Sequence, residues 1–358
     1  MKERVKWIES IRFIACIMVA WSHYSINYGY LIFWSLAARS KLANIILCGF
    51  HAVWATVLFT ILLGFFAAKK AHGKDSFMKY TISRYVQFSS GIVIAEVVML
   101  LFAFIFFVFS IENGVSNRLV GINFSQFSDV SALAKSVVED ILFLGCTFYE
   151  TMWCLKPFFI GSLLCFVLEK LKVKSAVLIP FIVLCRFVES YLYVGLTVLG
   201  LLLYRIIQKE EERQSIKKWL QKPFVLCLLV ALTILFFQGT GSHYNDIFCY
   251  GISAFCFLLF CFHCKTAQKI LSWPMLASFG KLSFGVYLMH VPVYRGIIYL
   301  LYPVFQKIPS PISGVVMTIA YFSITLGAAW VFTKWGDWVL KKLNEKVLDK
   351  VSISASLH

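Results

Sequence analysis

Ten apolar runs, separated by short polar stretches, decide what this chain can fold into. They fall at about 8–27, 45–67, 86–109, 152–169, 174–188, 190–207, 223–240, 247–264, 282–303 and 312–334. Most approach the about 20 residues that a helix needs to cross a bilayer. Backbone inside lipid must satisfy its own N–H and C=O groups, so such runs become helices. The sequence predicts an all-α integral membrane protein with about ten transmembrane helices and a polar cavity between them. Only 15% of its 358 residues are charged and mean hydropathy is +0.79, values outside the soluble range. Thirty-five Phe, sixteen Tyr and ten Trp are enough for interfacial belts.

The net charge of +16 invites a nucleic-acid reading, which fails once the charges are placed. Lys and Arg lie mainly in the N-terminus, in alternate short loops and near the C-terminus. The other loops hold Arg39, Lys41, Arg118, Lys135, Arg186, Arg295 and Lys307. That alternation predicts both termini on the cytoplasmic side of a cell membrane. The first run carries Glu9 and Arg12 and lacks a small-residue cleavage site, so it reads as a retained helix. One multi-pass domain is expected over 1–350, with 351–358 as a cytoplasmic tail.

Several local features bear on the site. The fourth and fifth runs are short and contain Pro157 and Pro180, which makes them a candidate cavity wall. The long outer segment 110–151 includes SDVSALAKSVVEDILFLG, which reads as an interfacial helix and a place for acceptor recognition. Most cysteines read as packing residues. Cys146 and Cys154 share the outer side, but spacing alone fixes no bridge. Cys256, Cys261, His263 and Cys264 lack the second spaced ligand pair of a zinc site, and no metal is expected. Phosphate-loop, dinucleotide and nucleophile-elbow motifs are absent from the sequence.

The chemistry-bearing residues lie within the apolar runs, where ionisable groups are costly and usually functional. In IESIRFIACIMVAWSHY, eleven residues separate Arg12 from His23. That is about three helical turns, so both share a face with an offset of roughly 16 Å. His23 reads either as an interfacial histidine or as a base for a hydroxyl attacking an acyl carbon. Arg12 offers a planar fork to phosphate or carboxylate, and Glu9 three residues before it is placed to neutralise it. In SFGKLSFGVYLMHVPV, Ser283 and Tyr287 share the face of His290; a packing stripe is the alternative reading. Glu96 reads as a cavity residue or as a helix–helix hydrogen bond. Glu150, Trp153 and Lys156 read as an interfacial anchor or a sugar-stacking rim. His51 is close in depth to His23.

The Arg12–His23 pair, GKLSFGVYLMHVP at 280–292, WCLKPFFIGSLLCFVL at 153–168 and LFTILLGFF at 58–66 together resemble the membrane-bound acyltransferase-3 family over nearly the whole chain. The resemblance implies O-acylation of a polysaccharide or lipid-linked glycan of the cell envelope, with cytoplasmic acyl-CoA, in the first place acetyl-CoA, as co-substrate. It implies catalytic roles for His23 and Arg12, and donor binding by Arg12, Arg84 and Lys79. Tyr287 and His290 match the family's late Tyr-Leu-x-His, and with Glu9, Glu96, Glu150 and Trp153, which enter on the reading of the residues themselves, they are the expected substrate-cavity residues. The family's serine before Gly-Phe is Leu63 here, followed by Gly64 and Phe65. The rival expectation is a transporter or flippase of glycan or lipid-linked sugar that performs no acyl chemistry. The expected partners are the glycan acceptor and membrane lipids.

Overall fold

The computed structural model describes residues 5–25, 52–73, 76–108, 130–144, 153–212, 214–237, 243–305, 307–309 and 312–343. Its helices are α1 Lys6–Tyr24, α2 Ala52–His72, α3 Phe77–Val108, α4 Val130–Ile141, α5 Leu155–Lys170 and α6 Ser175–Cys185. There follow α7 Glu189–Glu212, α8 Gln214–Leu220, α9 Pro223–Phe237, α10 His243–His263, α11 Lys265–Leu271 and α12 Pro274–Phe279. The last are α13 Ser283–Pro292, α14 Tyr299–Phe305 and α15 Ile312–Leu343. A 3-10 turn, Gly280–Leu282, leads into α13, and a π turn, Val293–Ile298, joins α13 to α14. No strand occurs among the described residues.

A helix occupies each apolar run. Among the described residues, six helical segments are long and apolar enough to cross a membrane: Ala52–His72, Phe77–Phe102, Tyr191–Lys209, Asp246–His263, Pro274–Phe305 and Ile312–Trp338. α8 and α9, bent by 61°, make a seventh if they form one span. The protein is an all-helical membrane protein. α6 has 11 residues, about 17 Å of helix, well short of the about 30 Å hydrocarbon core.

Three placements differ from the sequence expectation. Lys79 and Arg84 are not in a loop: α3 begins at Phe77 and carries both in its first turns. Arg295 is not in an outer loop either. It lies buried on the π turn, because the helical run continues through it. Pro157 sits in the first turn of α5, where its missing N–H leaves nothing unbonded, and Pro180 is exposed on α6. α6 buries only Leu178, Ile182 and Cys185, one stripe at helical spacing. Its proline therefore does not face a cavity within its own unit.

The described chain divides into two compact units. The first comprises residues 1–15, 53–85 and 154–280. Small residues let its helices meet at the backbone. A Cβ on Gly64 of α2 would collide with the Thr197 carbonyl of α7, and one on Gly200 of α7 with the Ile61 carbonyl of α2. Gly64, beside the non-family Leu63, thus serves close approach. The indole N–H of Trp54 donates to Ser253 Oγ at 3.0 Å, and Ser253 Oγ donates to the Thr233 carbonyl at 2.8 Å, tying α2, α10 and α9. Arg205 Nε meets Glu169 Oε2 at 2.7 Å, a largely buried pair between α7 and α5.

The second unit comprises residues 16–52, 86–153 and 281–358. Here the last turns of α1 pack on α13 and α15. Tyr24 stacks on Tyr321 with ring centroids 4.5 Å apart, and the Tyr321 hydroxyl donates to the Ala20 carbonyl at 3.1 Å. α15 meets α13 where Gly285 lies against Ala329. α4 docks by its C-terminal end on α3. Ser89 Oγ donates to the Ile141 carbonyl at 3.5 Å, and Phe143 packs edge-on against Phe88. Phe143 has φ 57°, a left-handed conformation that costs an L residue about 1–2 kcal/mol; its burial holds it there. The expected interfacial helix therefore has one end inserted into the protein.

Candidate active site

α1 delivers His23 in its last turn, and α13 delivers His290 two residues before Pro292. Their rings lie 5.3 Å apart between centroids, with planes tilted by 41°. His290 is fully buried and His23 half-buried. His290 Nδ1 lies 2.6 Å from the Tyr287 carbonyl. A carbonyl only accepts, so Nδ1 carries the proton. In the neutral ring Nε2 then holds a lone pair. That nitrogen is buried and has no hydrogen-bond partner. Tyr287 lies beside His290, with ring centroids 5.9 Å apart. Cys16 Sγ donates to the Ser283 carbonyl at 2.9 Å, which fastens α1 to α13 about two turns below the histidines.

The local sequence explains the shape here. Pro292 lacks the N–H that would bond the Leu288 carbonyl, and the chain opens into the π turn immediately after it. Arg295 lies on that turn, 6% exposed, and its Nε donates to the Tyr294 hydroxyl at 3.2 Å.

Among the described residues, the buried side-chain atoms without a hydrogen-bond partner are both Glu96 oxygens, His290 Nε2 and Thr325 Oγ1. All belong to the second unit. Buried polar groups are normally bonded, so each of these atoms calls for a reason. Glu96 has no N–H or hydroxyl donor, but the Asp140 carboxyl of α4 lies within its reach. Both are 1% exposed.

In the first unit, Arg12 Nη1 lies 3.3 Å from each Glu9 oxygen, as the neutralising reading requires, and 31% of the Arg12 side chain stays exposed. Glu9 is wedged against Gly280, where any Cβ would strike it. Arg84 Nε donates to the Tyr80 hydroxyl at 3.3 Å, and its guanidinium lies 5.4 Å from that ring's centroid. Tyr80 in turn stacks on Phe166. Lys79 is exposed on the same turn. Trp153 is 43% exposed and Lys156 is exposed one turn on. Glu150, His51 and Cys146 lie outside the described residues; Cys154 is buried.

The structure thus brings His23, Tyr287 and His290 together, and separately pairs Glu9 with Arg12. It adds Asp140 and Arg295. Arg295 falls inside the ninth apolar run, a signal that counting it as a loop charge obscured. Asp140 precedes the apolar ILFLG, which hints at burial, but nothing local points to Glu96. No cluster of three or more His, Cys, Asp or Glu side chains suited to a metal occurs among the described residues.

Residues 5–334 match the family model of the acyltransferase-3 proteins, described as an acyltransferase domain. Neither a curated protein nor a solved structure matches the chain. With nearly the whole length matched, and with two histidines from distant runs meeting, the chain belongs to the acyltransferase-3 family and is an acyltransferase.

Proposed function

We propose that this acyltransferase moves an acetyl group from acetyl-CoA to a hydroxyl of a cell-envelope polysaccharide or its lipid-linked precursor. The observation that carries the reading is the His23–His290 pair, with His290 held as the tautomer that bares Nε2. In this reading His23 is the general base. It takes the proton of the acceptor hydroxyl as that oxygen attacks the thioester carbon. The carbonyl electrons move onto oxygen, then re-form the double bond as the C–S bond breaks. The departing CoA sulfur takes the proton. The His290 lone pair beside His23 steadies the ring that holds the proton meanwhile.

The donor carries phosphates, and its binding falls to the cations of the first unit. Arg84 is braced on Tyr80, Lys79 is exposed, and Arg12 keeps part of its fork accessible beyond Glu9. The step from Arg12 to His23 along α1 is roughly 16 Å, a length set by the helix. It suits a donor whose charged end stays near one interface. Ten spans, two cytoplasmic termini, a polar cavity and residence in the cell membrane complete the proposal. Trp153 and the outer segment are the proposed acceptor contacts. Family membership favours acyl transfer over glycan transport without chemistry.

His23→Ala tests the reading. NMR of the surface glycan should show acetyl signals lost, with protein level and glycan export unchanged. Full acetylation in that variant, or loss of export instead, would sink it.

A further inference from the structure

We propose that the Arg295 guanidinium stabilises the oxyanion that forms on the acyl carbon during transfer. The inference rests on the acyl-transfer reading of the histidine pair and adds to it a group that neither the family match nor the sequence motifs assign.

Burial comes first. Arg295 is 6% exposed within a helical run long and apolar enough to cross a membrane. A cation there is costly and needs a use. Its position comes second. An α-helix would set Arg295 about 140° round the axis from His290, five residues back. The wider π turn reduces that angle, so Arg295 stands closer to the His290 face than a continuous α-helix would set it. π turns of this kind often mark functional sites.

The surroundings come third. Gly296 lies against the Phe102 ring so closely that a Cβ would overlap it, so α3 covers the π turn beside Arg295. Charge fixed in such a dry place acts far more strongly than in water. Tyr294 braces the side chain: its hydroxyl accepts from Nε, and its ring lies 5.7 Å from the guanidinium carbon. A guanidinium presents five donors in one plane, a geometry suited to an oxygen gaining negative charge. The chemistry needs a base and a charge stabiliser. The histidines supply the first, and Arg295, the buried Arg or Lys among the described residues, is assigned the second.

The test uses the full-length protein purified in detergent, with acetyl-CoA as donor and chemically deacetylated envelope glycan as acceptor. In Arg295→Gln, kcat should fall on the order of 100-fold or more, the loss typical of removing one oxyanion donor. KM for acetyl-CoA and the melting temperature should stay as in wild type. Arg295→Lys keeps the charge without the fork and should fall between. If the Gln variant does not fold, the Lys variant carries the comparison. Wild-type kcat in either folded variant overturns the inference, as does a raised KM with kcat intact, which would make Arg295 a donor-binding group. Thiol release from acetyl-CoA in the absence of glycan separates the two readings. If wild type releases thiol but acetylates no glycan, the acceptor assignment fails while the Arg295 comparison still stands. If wild type releases no thiol either with or without glycan, both fall.

Discussion

At the scale of single residues, His290 makes two separable demands on its position. Nδ1 must donate to the Tyr287 carbonyl, and Nε2 must stay bare beside His23. His290→Asn keeps a donor near the Nδ1 position and deletes the second nitrogen. The variant should fold and insert as wild type does, yet lose acetyl transfer by about 100-fold or more, the usual range for losing acid–base assistance. Glycan acetate measured against protein level checks this, and unchanged acetate would show that the second nitrogen is idle. Glu96 on α3 lies within reach of the Asp140 carboxyl on α4, and both are 1% exposed.

At the scale of elements, the crossing of α2 and α7 is set by glycine on both sides. Gly64 meets the Thr197 carbonyl and Gly200 meets the Ile61 carbonyl, so neither helix can carry even a methyl group there without moving apart. Small residues at such crossings replace the hydrophobic drive that lipid does not supply. Gly64→Val should destabilise the first unit by at least about 2 kcal/mol, the scale of overpacking in a filled core. A thermal melt in detergent reads the loss. Gly64→Ala should lower the melt less, and a Val variant that melts like wild type would mean the helices can separate freely. The π turn after Pro292 is likewise a property of an element. Proline ends the regular hydrogen bonding, and the wider turn that follows is where Arg295 turns inward.

At the scale of the whole molecule, orientation in the membrane is the open physical variable. Cysteines placed one at a time at Lys2 and Ser354, in a chain otherwise cleared of reactive thiols, should be labelled by an impermeant reagent only after the membrane is opened. Labelling of either in intact cells would break the ten-span, both-ends-inside arrangement. The sequence by itself determined the helical class, the membrane setting, the bounds of the apolar runs and the placing of Arg12 and His23 on one rod. Those follow from hydropathy and the rise of a helix, which are properties of consecutive residues. The tertiary structure alone decided that His23 meets His290, that Asp140 reaches Glu96, that Arg295 is buried, and that Gly64 and Gly200 share one crossing. Each of these joins segments far apart in the chain or depends on how a turn is packed. Such contacts arise from the fit of side chains between helices, and periodicity along one helix carries no record of that fit.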